Sequence, residues 1–513
     1  MKILLLYHSG LSHRNDPYIS LVPTGLTYLH ACLLEAGHSS VLANFSGWST
    51  SRIEKKLLSF KPDMVGISQW THNRALSLEL AAVCKRLLPE CLTVMGGAHA
   101  TFCYEDILVE GGCVDVVVCG EGELTLTELA ARHAAGNAWH DIDGIAYRRN
   151  GAVVVTQRRS PVPDLDSLPS PSRYFENSVG LDLHLQSEFI VTARGCPSSC
   201  NFCSSPSFWG RSVRFRSPQA IVDEILFIRE KYGLIYFSLR DDTFTADRKR
   251  ILEFCSLLIT HEANILWNCQ SRVTAIDEEL ITAMKRAGCE CIQLGIESGS
   301  PHLLKYLNKR ITPDKATSAC SLIREIGINL SVYLISNIPG ETEDDLCQTM
   351  SLLRCLKADD GYVSPLAYYP GTRLFRDAVA AGDIPENLFS SDQRDSLYVS
   401  AGGAGTTTRL LDELVKSRRD DEGRFILSKE RIGYCYTSNV LASEWYRQKG
   451  DYRKAVEELE EITRQQPRNP WGWFLLGELY AENGAWKKAR SSFEQVLKIV
   501  PRHSASLSAL KMR

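Results

Sequence analysis

The chain contains the stretch Arg194-Gly195-Cys196-Pro197-Ser198-Ser199-Cys200-Asn201-Phe202-Cys203, in which three cysteines are spaced C-x3-C-x2-C. The stretch directly follows an apolar run over residues 189–192 that is typical of a β-strand. The spacing therefore predicts a short loop at the end of a strand, with three thiol groups held close together.

Three neighbouring thiolates can bind three irons of a 4Fe-4S cluster and leave the fourth iron without a protein ligand. S-adenosylmethionine needs such an open iron, because its amino and carboxylate groups can chelate there. A structural zinc site is the alternative. Zinc prefers four ligands, usually in two paired arms, and no second arm follows the loop, although Cys255 or Cys269 could supply a fourth ligand.

The three cysteines, with Phe202 before the last one, resemble the signature loop of the radical S-adenosylmethionine superfamily. The resemblance implies that Cys196, Cys200 and Cys203 are the ligands of a 4Fe-4S cluster. It also implies S-adenosylmethionine as a second cofactor.

The composition of the 513 residues bounds the remaining possibilities. The length suits about three domains, and 44% hydrophobic with 23% charged residues is ordinary for a globular protein. A net charge of -3 provides no electrostatic basis for binding nucleic acid or an anionic membrane. Seventeen cysteines, an odd number, favour a reducing compartment. With no signal segment and no membrane-length apolar window, we expect a cytoplasmic protein.

Residues 1–145 alternate between short apolar runs and amphipathic stretches. The predicted strands are 3–7, 40–45, 64–68, 93–95 and 114–119, and the predicted helices are 25–35, 51–59, 74–88 and 101–110. This alternation predicts a Rossmann-like parallel sheet with helices on both faces, and ligands bind such sheets beyond the carboxyl ends of the strands. Those ends carry Ser68-Gln69-Trp70, Gly96-Gly97-Ala98-His99 and Gly120-Glu121-Gly122-Glu123.

The order and spacing of these strand-end segments resemble the cobalamin-binding domain that is fused to many radical S-adenosylmethionine enzymes. Cobalamin is therefore implied as a third cofactor, with binding residues Ser68, Gln69, Trp70, Gly96, Gly97, Gly120 and Glu121. The D-x-H-x-x-G motif is absent, because Asn44-Phe45-Ser46-Gly47-Trp48 occupies its place, so no histidine from that position ligates cobalt. Trp70 either covers the lower face of the corrin or packs in the core, and His99 is better explained as a helix-entry residue.

Residues 146–187 contain a hairpin with an Asn-Gly turn and a proline-rich linker.

From 188 to about 385, six further strand-like runs alternate with helices, at 189–192, 235–239, 265–269, 291–295, 330–335 and 361–366. Six βα units are similar to the partial (β/α)6 barrel of the superfamily, whose site lies at the carboxyl ends of the strands.

Polar residues follow several of these runs. By resemblance, Glu297, Gly295 and Ser298 contact the ribose or methionine part of S-adenosylmethionine. Asp241 and Asp242 line the site near its amino group or the substrate, and Gln270 and Arg272 lie at the same mouth. Each of these side chains could instead serve a turn or a helix cap, as Asp242 before Thr243 illustrates. The sequence identifies no catalytic residue.

The last 128 residues form an appendage. Residues 386–435 are a C-terminal extension in which Gly402–Thr408 predicts a flexible loop, serving as a lid or a spacer. Residues 436–513 repeat with a period of 34, and the pattern is that of tetratricopeptide repeats. The matching positions are Tyr446 with Tyr480, Gly450 with Gly484, Ala455 with Ala489 and Pro467 with Pro501. The repeats either bind a protein partner or cap the barrel.

Together the resemblances imply an α/β enzyme that methylates an unactivated carbon through methylcobalamin and a 5′-deoxyadenosyl radical. A cyclase or rearrangement enzyme without methyl transfer is the alternative, and a non-catalytic iron–sulfur scaffold is a third. The expected partners are an electron donor such as flavodoxin or ferredoxin and a small-molecule, carrier-bound or peptide-bound substrate.

The cluster assignment predicts the behaviour of a triple variant. Replacing Cys196, Cys200 and Cys203 with alanine should abolish the brown colour of the reconstituted protein and the reductive cleavage of S-adenosylmethionine. Iron analysis and chromatography of 5′-deoxyadenosine measure both effects. Retention of about four irons per chain in the variant would contradict the assignment.

Overall fold

The computed structural model describes residues 1–10, 18–109, 112–389, 398–399 and 404–511. Its strands are, in chain order, β1 Lys2–Tyr7, β2 Ser39–Asn44, β3 Met64–Ser68, β4 Leu92–Gly96, β5 Val116–Val118, β6 Ile145–Arg149, β7 Ala152–Val155, β8 Ser178–Val179, β9 Phe189–Ile190, β10 Ala193–Arg194, β11 Arg214–Phe215, β12 Tyr236–Leu239, β13 Leu266–Ser271, β14 Cys289–Glu297, β15 Asn329–Ser336, β16 Asp360–Pro365, β17 Ala367–Tyr368 and β18 Tyr398–Val399.

The α-helices alternate with these strands up to β16 and then dominate. They are α1 Thr24–Glu35, α2 Thr50–Phe60, α3 Arg74–Leu87, α4 Ala98–Phe102, α5 Tyr104–Val109, α6 Glu123–Ala134, α7 Leu183–Glu188, α8 Ser205–Trp209, α9 Pro218–Tyr232, α10 Arg248–Thr260, α11 Glu278–Arg286, α12 Pro301–Tyr306, α13 Pro313–Ile326, α14 Glu343–Leu356, α15 Arg373–Ala381, α16 Ala404–Lys416, α17 Gly423–Ile432, α18 Tyr436–Gln448, α19 Tyr452–Gln465, α20 Pro470–Glu482, α21 Trp486–Ile499 and α22 Ser504–Lys511.

The chain folds into two compact units, and each unit combines three segments that are separated in the sequence. The first unit contains Met1–Gln186, Gly195–Arg214 and Ala367–Val399. The second contains Ser187–Arg194, Phe215–Leu366 and Ser400–Arg513. The three-cysteine loop therefore belongs to the first unit, whereas the strand that precedes it belongs to the second.

The first unit is built on an eight-stranded sheet with the order β7-β6-β5-β4-β3-β1-β2-β8. Strands β1 to β5 and β8 are parallel, and β6 and β7 form an antiparallel hairpin at one edge. Residues 3–6 of β1 are fully buried, as expected for a central strand covered on both faces. Because the chain passes from β1 to β2 on one side and to β3 on the other, the strand order reverses beside β1. The predicted Rossmann-like domain is confirmed.

The second unit contains six parallel strands in the order β16-β15-β14-β13-β12-β9. Helices α9, α10, α11, α13 and α14 pack side by side in chain order. On β14, Ile292, Leu294 and Ile296 are fully buried, while the alternate residues Gln293 and Gly295 are half-buried. The helices thus cover one face of the sheet and leave the other accessible, which confirms the expected (β/α)6 arrangement.

Helices α18 to α21 form two helical hairpins, and α22 packs on the second of them. Ala455 and Ala489 are buried at matching positions of the two repeats. A Cβ on Gly477 would lie 2.6 Å from the Phe493 ring, so the small residue allows α20 and α21 to pack closely. The tetratricopeptide prediction is confirmed.

The repeats lie against the amino ends of the barrel strands. Tyr436 Oη donates a hydrogen bond to the Ile265 carbonyl just before β13, at 2.6 Å. Gly288, which precedes β14, has a φ of +100°, and a Cβ there would collide with the same carbonyl. A Cβ on Gly233, before β12, would collide with the Arg502 carbonyl. The repeats therefore cap the end of the barrel opposite to the carboxyl ends of its strands.

The loop predicted for Gly402–Thr408 is wrong for those of its residues that the structure describes. Residues 402 and 403 lie outside the described residues, but Gly405, Thr406, Thr407 and Thr408 belong to α16. Thr407 Oγ1 lies 2.7 Å from Ser336 Oγ at the end of β15, and Leu410 and Leu414 of the same helix are buried. Burial of this apolar stripe outweighs the weak helix propensity of glycine and threonine.

No helix in the described part of the chain is long and apolar enough to cross a bilayer.

The cap predicts the effect of Tyr436→Phe. The substitution removes the hydroxyl donor from the buried Ile265 carbonyl, so the free energy of unfolding should fall by about 1–2 kcal/mol. Urea unfolding of the apoprotein, followed by circular dichroism, measures the change. Tyr452→Phe, at a position that is 41% exposed, is the matched control. Equal effects of the two substitutions would contradict the assignment.

Candidate functional site

The three-cysteine loop runs from Gly195 to Ser204, between β10 and α8. Cys196, Cys200 and Cys203 are all half-buried, and the Cys203 amide donates to the Cys200 carbonyl at 3.3 Å. Gly195 has a φ of +101°, and a Cβ there would lie 2.7 Å from the Ser212 carbonyl oxygen. Only glycine fits this entry to the loop.

Three thiolates on one loop fit the donor set of a 4Fe-4S cluster that keeps one open iron. Within the described residues, no group of three or more histidine, cysteine, aspartate or glutamate side chains could hold one metal ion. A 4Fe-4S cluster attaches each thiolate to a different iron, so its ligands need not converge on one point. Cys255 and Cys269, the candidate fourth ligands for zinc, are buried in the barrel core, where Cys269 is hydrogen-bonded to Cys289.

The loop and the first sheet are joined by direct contacts within the first unit. The Phe208 ring packs edge-on against Phe102, which ends α4 just beyond β4, with 6.4 Å between ring centroids. Arg158 donates to the Phe208 carbonyl at 2.9 Å, and the Leu374 amide donates to the Asn201 carbonyl at 2.9 Å. The three-cysteine segment is therefore seated at the carboxyl ends of the strands that were predicted to bind cobalamin.

Glu121 strengthens this junction. Its carboxylate forms a two-pronged ion pair with Arg214, which lies at the end of the three-cysteine segment. It also accepts a hydrogen bond from the Val162 amide at 2.9 Å. The Glu121 side chain, predicted to bind cofactor, is thus engaged in holding two segments of the first unit together.

The other strand-end residues form a compact cradle. Gly97 has a φ of +106°, and a Cβ there would lie 2.6 Å from the Gln69 carbonyl oxygen. Gln69 is fully buried and donates from its amide to the Arg74 carbonyl, while its Oε1 has no donor among the described residues. A Cβ on Gly120 would meet only open space, and Trp70 is 42% exposed. An unpartnered acceptor and open space beside glycine fit a large polar ligand.

Two polar residues near this cradle, His99 and Asn44, are used structurally. His99 is buried, its Nδ1 lies 3.1 Å from Thr71 Oγ1, and its ring packs against Phe389. Burial lowers the pKa of His99 to about 3, so the ring is neutral. Asn44, at the place of the missing D-x-H-x-x-G motif, donates to the carbonyls of Ile19 and Leu21.

In the second unit, Asp241 forms a buried clamp. Its Oδ1 accepts from the amides of Thr192 and Ala193, at 2.6 and 2.9 Å, and its Oδ2 accepts from the Thr192 hydroxyl. Arg250 donates to the Thr192 carbonyl and hydroxyl at 2.8 and 2.6 Å. Burial raises the pKa of the Asp241 carboxyl, and the nearby guanidinium and the three donors oppose this. Asp241 is thus positioned to fix the backbone from which the three-cysteine loop departs at Gly195.

Glu297 ends β14 in a strained conformation. Its φ is +67°, which is uncommon for a residue with a side chain and typical of functional positions. Its carboxylate lies 2.6 Å from the Lys309 ammonium, and both side chains are mostly buried. A Cβ on Gly295 would lie 2.6 Å from Glu297 Oε1, while Ser298 Oγ lies 3.1 Å from Thr349 Oγ1.

The remaining predicted residues lie at neighbouring strand ends of the same sheet. Gln270 is in β13, and Arg272 follows it; both are half-buried. Asp242 is exposed just after β12. Two residues were not predicted from the sequence. Lys309 has no local signal, because its partner Glu297 lies twelve residues earlier. Arg240 belongs to the polar segment after β12 but was not assigned a role.

The clamp predicts that Asp241→Asn weakens the support of the loop. The amide cannot balance the buried Arg250 charge, so the free energy of unfolding should fall by about 3 kcal/mol or more. Iron content after anaerobic reconstitution should fall with it. Asp223→Asn, an equal change of charge on the exposed side of α9, is the control. Full stability and iron content in the Asp241 variant would show that the clamp is dispensable.

Comparison with known proteins places this geometry in a family. Residues 190–353 match the radical SAM superfamily, residues 18–130 match the B12 binding domain, and residues 446–512 match a tetratricopeptide repeat. An uncharacterised methyltransferase of Pyrococcus horikoshii is 33% identical over 367 residues, which are 70% of this chain and 78% of that protein. The anaerobic magnesium-protoporphyrin IX monomethyl ester cyclase of Rubrivivax gelatinosus is 29% identical, over 86% of this chain and 80% of the cyclase.

The solved structure of the cobalamin-dependent S-adenosylmethionine radical enzyme OxsB, with aqua-cobalamin and S-adenosylmethionine bound, has the same fold. The TM-score is 0.67 at 16% identity, and the match covers 98% of this chain and 84% of OxsB. The likeness extends through both α/β parts. The chain belongs to the radical S-adenosylmethionine enzymes that carry a B12-binding domain.

Proposed function

We propose that this enzyme methylates an unactivated carbon in a reaction that uses a 4Fe-4S cluster, S-adenosylmethionine and cobalamin. The observation that carries the proposal is the seating of the three-cysteine loop at the strand ends of the B12-binding domain. Phe208 against Phe102 and Arg214 against Glu121 hold the two together. Such proximity is what a reaction needs when a radical and a methyl group must meet on one substrate carbon.

The three cysteines of the loop hold the cluster, and Gly195 and the Asp241 clamp position it. Bound together, the cofactors supply the radical that removes a substrate hydrogen and the methyl group that replaces it. The protein contributes binding, orientation and exclusion of water.

The B12-binding domain holds cobalamin through glycine-rich strand ends. Gly96, Gly97 and Gly120 let the backbone approach a bulky ligand, and the buried Gln69 Oε1 offers it an acceptor. The exposed Trp70 covers the lower face of the corrin. No histidine ligates cobalt from the end of β2, where Asn44 stands, and His99 is occupied by Thr71 and Phe389.

The strand ends of the second unit bind S-adenosylmethionine. The Glu297 carboxylate, next to Gly295 and Ser298, accepts hydrogen bonds from the ribose hydroxyls or the amino group. Lys309 neutralises that carboxylate and fixes its direction. Asp242 and Arg272 supply further polar contacts, and Gln270 lies beside them at the same mouth.

The two relatives support different outcomes for the substrate radical. The name of the Pyrococcus relative says methyltransferase, and that relative shares more identity with this chain. The Rubrivivax relative is a cyclase and covers more of the chain. A cyclase or rearrangement reaction without methyl transfer is therefore the second candidate.

We infer a reducing cytoplasmic setting, since an iron–sulfur cluster and seventeen cysteines require one. Reductive cleavage of S-adenosylmethionine needs an electron donor, for which a flavodoxin or ferredoxin is suited. The repeats cap the barrel with one side, and their remaining surface is available to a protein partner, such as a carrier that presents the substrate.

By-product analysis tests the function. A methyltransferase of this kind consumes S-adenosylmethionine as radical source and as methyl source, so 5′-deoxyadenosine and S-adenosylhomocysteine should form in about equal amounts per product. Chromatography of anaerobic turnovers with the reconstituted enzyme and cell extract measures both. Product with 5′-deoxyadenosine but no S-adenosylhomocysteine would replace methylation with the cyclase or rearrangement reaction.

A further inference from the structure

The accessible face of the six-stranded sheet, here called the inner face, is polar. Its side chains line up across neighbouring strands, with Ser238 beside Asn268, Gln270 beside Gln293, and Gln293 beside Ser331. Closed (β/α)8 barrels fill the corresponding space with packed branched apolar side chains. Here Gln270 and Gln293 are half-buried, whereas Ser238, Asn268 and Ser331 are buried, and the half-buried polar groups are suited to binding a ligand.

The half of this face nearest the amino ends is internally satisfied. Ser238 donates to Asn268 Oδ1 at 2.9 Å, and the Asn268 amide donates to Tyr236 Oη at 2.7 Å. Tyr236 in turn donates to the buried Glu290 carboxylate at 2.9 Å. This closed network forms a floor and leaves little hydrogen-bonding capacity for a ligand.

The half nearest the carboxyl ends retains donors. Tyr333 donates to Gln293 Oε1 at 3.0 Å, and the Gln293 amide hydrogens make no hydrogen bond to the described residues. In the part of the chain that the structure describes, the side chains of Gln270 and Arg240 make no hydrogen bond or ion pair. The Arg240 guanidinium lies 4.9 Å from the Phe189 ring, which is on the inner face because Phe189 pairs with Ser238.

Three carboxylates near Arg240 are engaged elsewhere, and no ion pair of the described residues joins Arg240 to the fourth, Asp242, which is exposed just after β12. Asp241 accepts from Thr192 and Ala193, Glu297 is paired with Lys309, and Glu290 lies in the floor. Arg240 therefore brings a positive charge, and the two glutamines bring amide donors, without a matching negative group from the described residues. An apolar substrate would bury these donors without giving them a hydrogen-bond partner, and this would weaken its binding. An apolar substrate therefore does not suit this face.

We propose that the carboxyl-end half of the inner face binds the carboxylate or phosphate group of an anionic small-molecule substrate. Arg240 is its ion partner, and Gln270 and Gln293 are its hydrogen-bond donors. The planar guanidinium matches two oxygens of either group. This assignment rests on the proposed function, because it names the class of molecule that the enzyme modifies.

Ligand retention tests the proposal directly. Anaerobically reconstituted enzyme with S-adenosylmethionine is incubated with cell extract, passed through a desalting column and denatured, and the released molecules are identified by mass spectrometry. We expect the wild type to retain carboxylate- or phosphate-bearing molecules other than S-adenosylmethionine and cobalamin, which carry such groups themselves. The Arg240→Gln variant should retain about tenfold less of these molecules than the wild type. Arg240→Lys, which keeps the charge but loses the planar fork, should lie between the two.

Lys249→Gln is the matched control, because it removes one positive charge from the exposed side of α10 and should retain ligands like the wild type. Three results would overturn the proposal: retention of neutral or lipid molecules alone, equal retention by the Arg240→Gln and wild-type proteins, and no retained molecule at all. Binding of labelled S-adenosylmethionine is measured in parallel by equilibrium dialysis. A tenfold loss there in Arg240→Gln would assign the residue to the cofactor and also overturn the proposal.

The experiments distinguish a failure of the proposed methyl transfer from a failure of the proposed anion-binding site. If Arg240-dependent anions are retained but turnover yields no S-adenosylhomocysteine, the methyl-transfer proposal is wrong and the binding face stands. If methyl label from S-adenosylmethionine enters a product that partitions into organic solvent as a neutral molecule, methyl transfer stands and the anionic class is wrong.

Discussion

The buried carboxylate of Asp241 is the constraint on which the arrangement of this enzyme depends. It accepts two backbone amides and one hydroxyl from Thr192 and Ala193, and Arg250 holds the same threonine from the other side. The chain leaves this clamp at Arg194 and enters the three-cysteine loop at Gly195. A loop that is proposed to present three thiols to one cluster needs a fixed starting point, and hydrogen bonds to a carboxylate in a dry core are among the stiffest available.

The two ends of the six-stranded sheet are used for different purposes. At the amino ends, the repeats bury Tyr436 against the Ile265 carbonyl, and Gly233 and Gly288 allow the close approach. At the carboxyl ends, strained backbone at Glu297 and half-buried polar side chains remain accessible.

The B12-binding domain shows how polar side chains near a cofactor can be structural. Glu121 pairs with Arg214, His99 contacts Thr71, and Asn44 anchors the segment before α1. Their side chains position backbone, and the glycines beside them are proposed to bring that backbone close to the cofactor. A residue that stands at the predicted place can therefore serve the site without contacting the cofactor through its side chain.

The sequence alone determined the features that depend on local spacing: the three-cysteine loop, the alternation of strands and helices in both α/β parts, and the 34-residue repeats. It was wrong about residues 405–408, because propensity suggested a loop where burial of Leu410 and Leu414 stabilises a helix. Only the tertiary structure decided which side chain meets which across long separations. Asp241 meets Thr192 over 49 residues and Arg214 meets Glu121 over 93, and no local pattern encodes such pairs. The physical reason is that a strand or loop forms from its own residues, whereas the partner of a buried charge is selected by the folding of the whole chain.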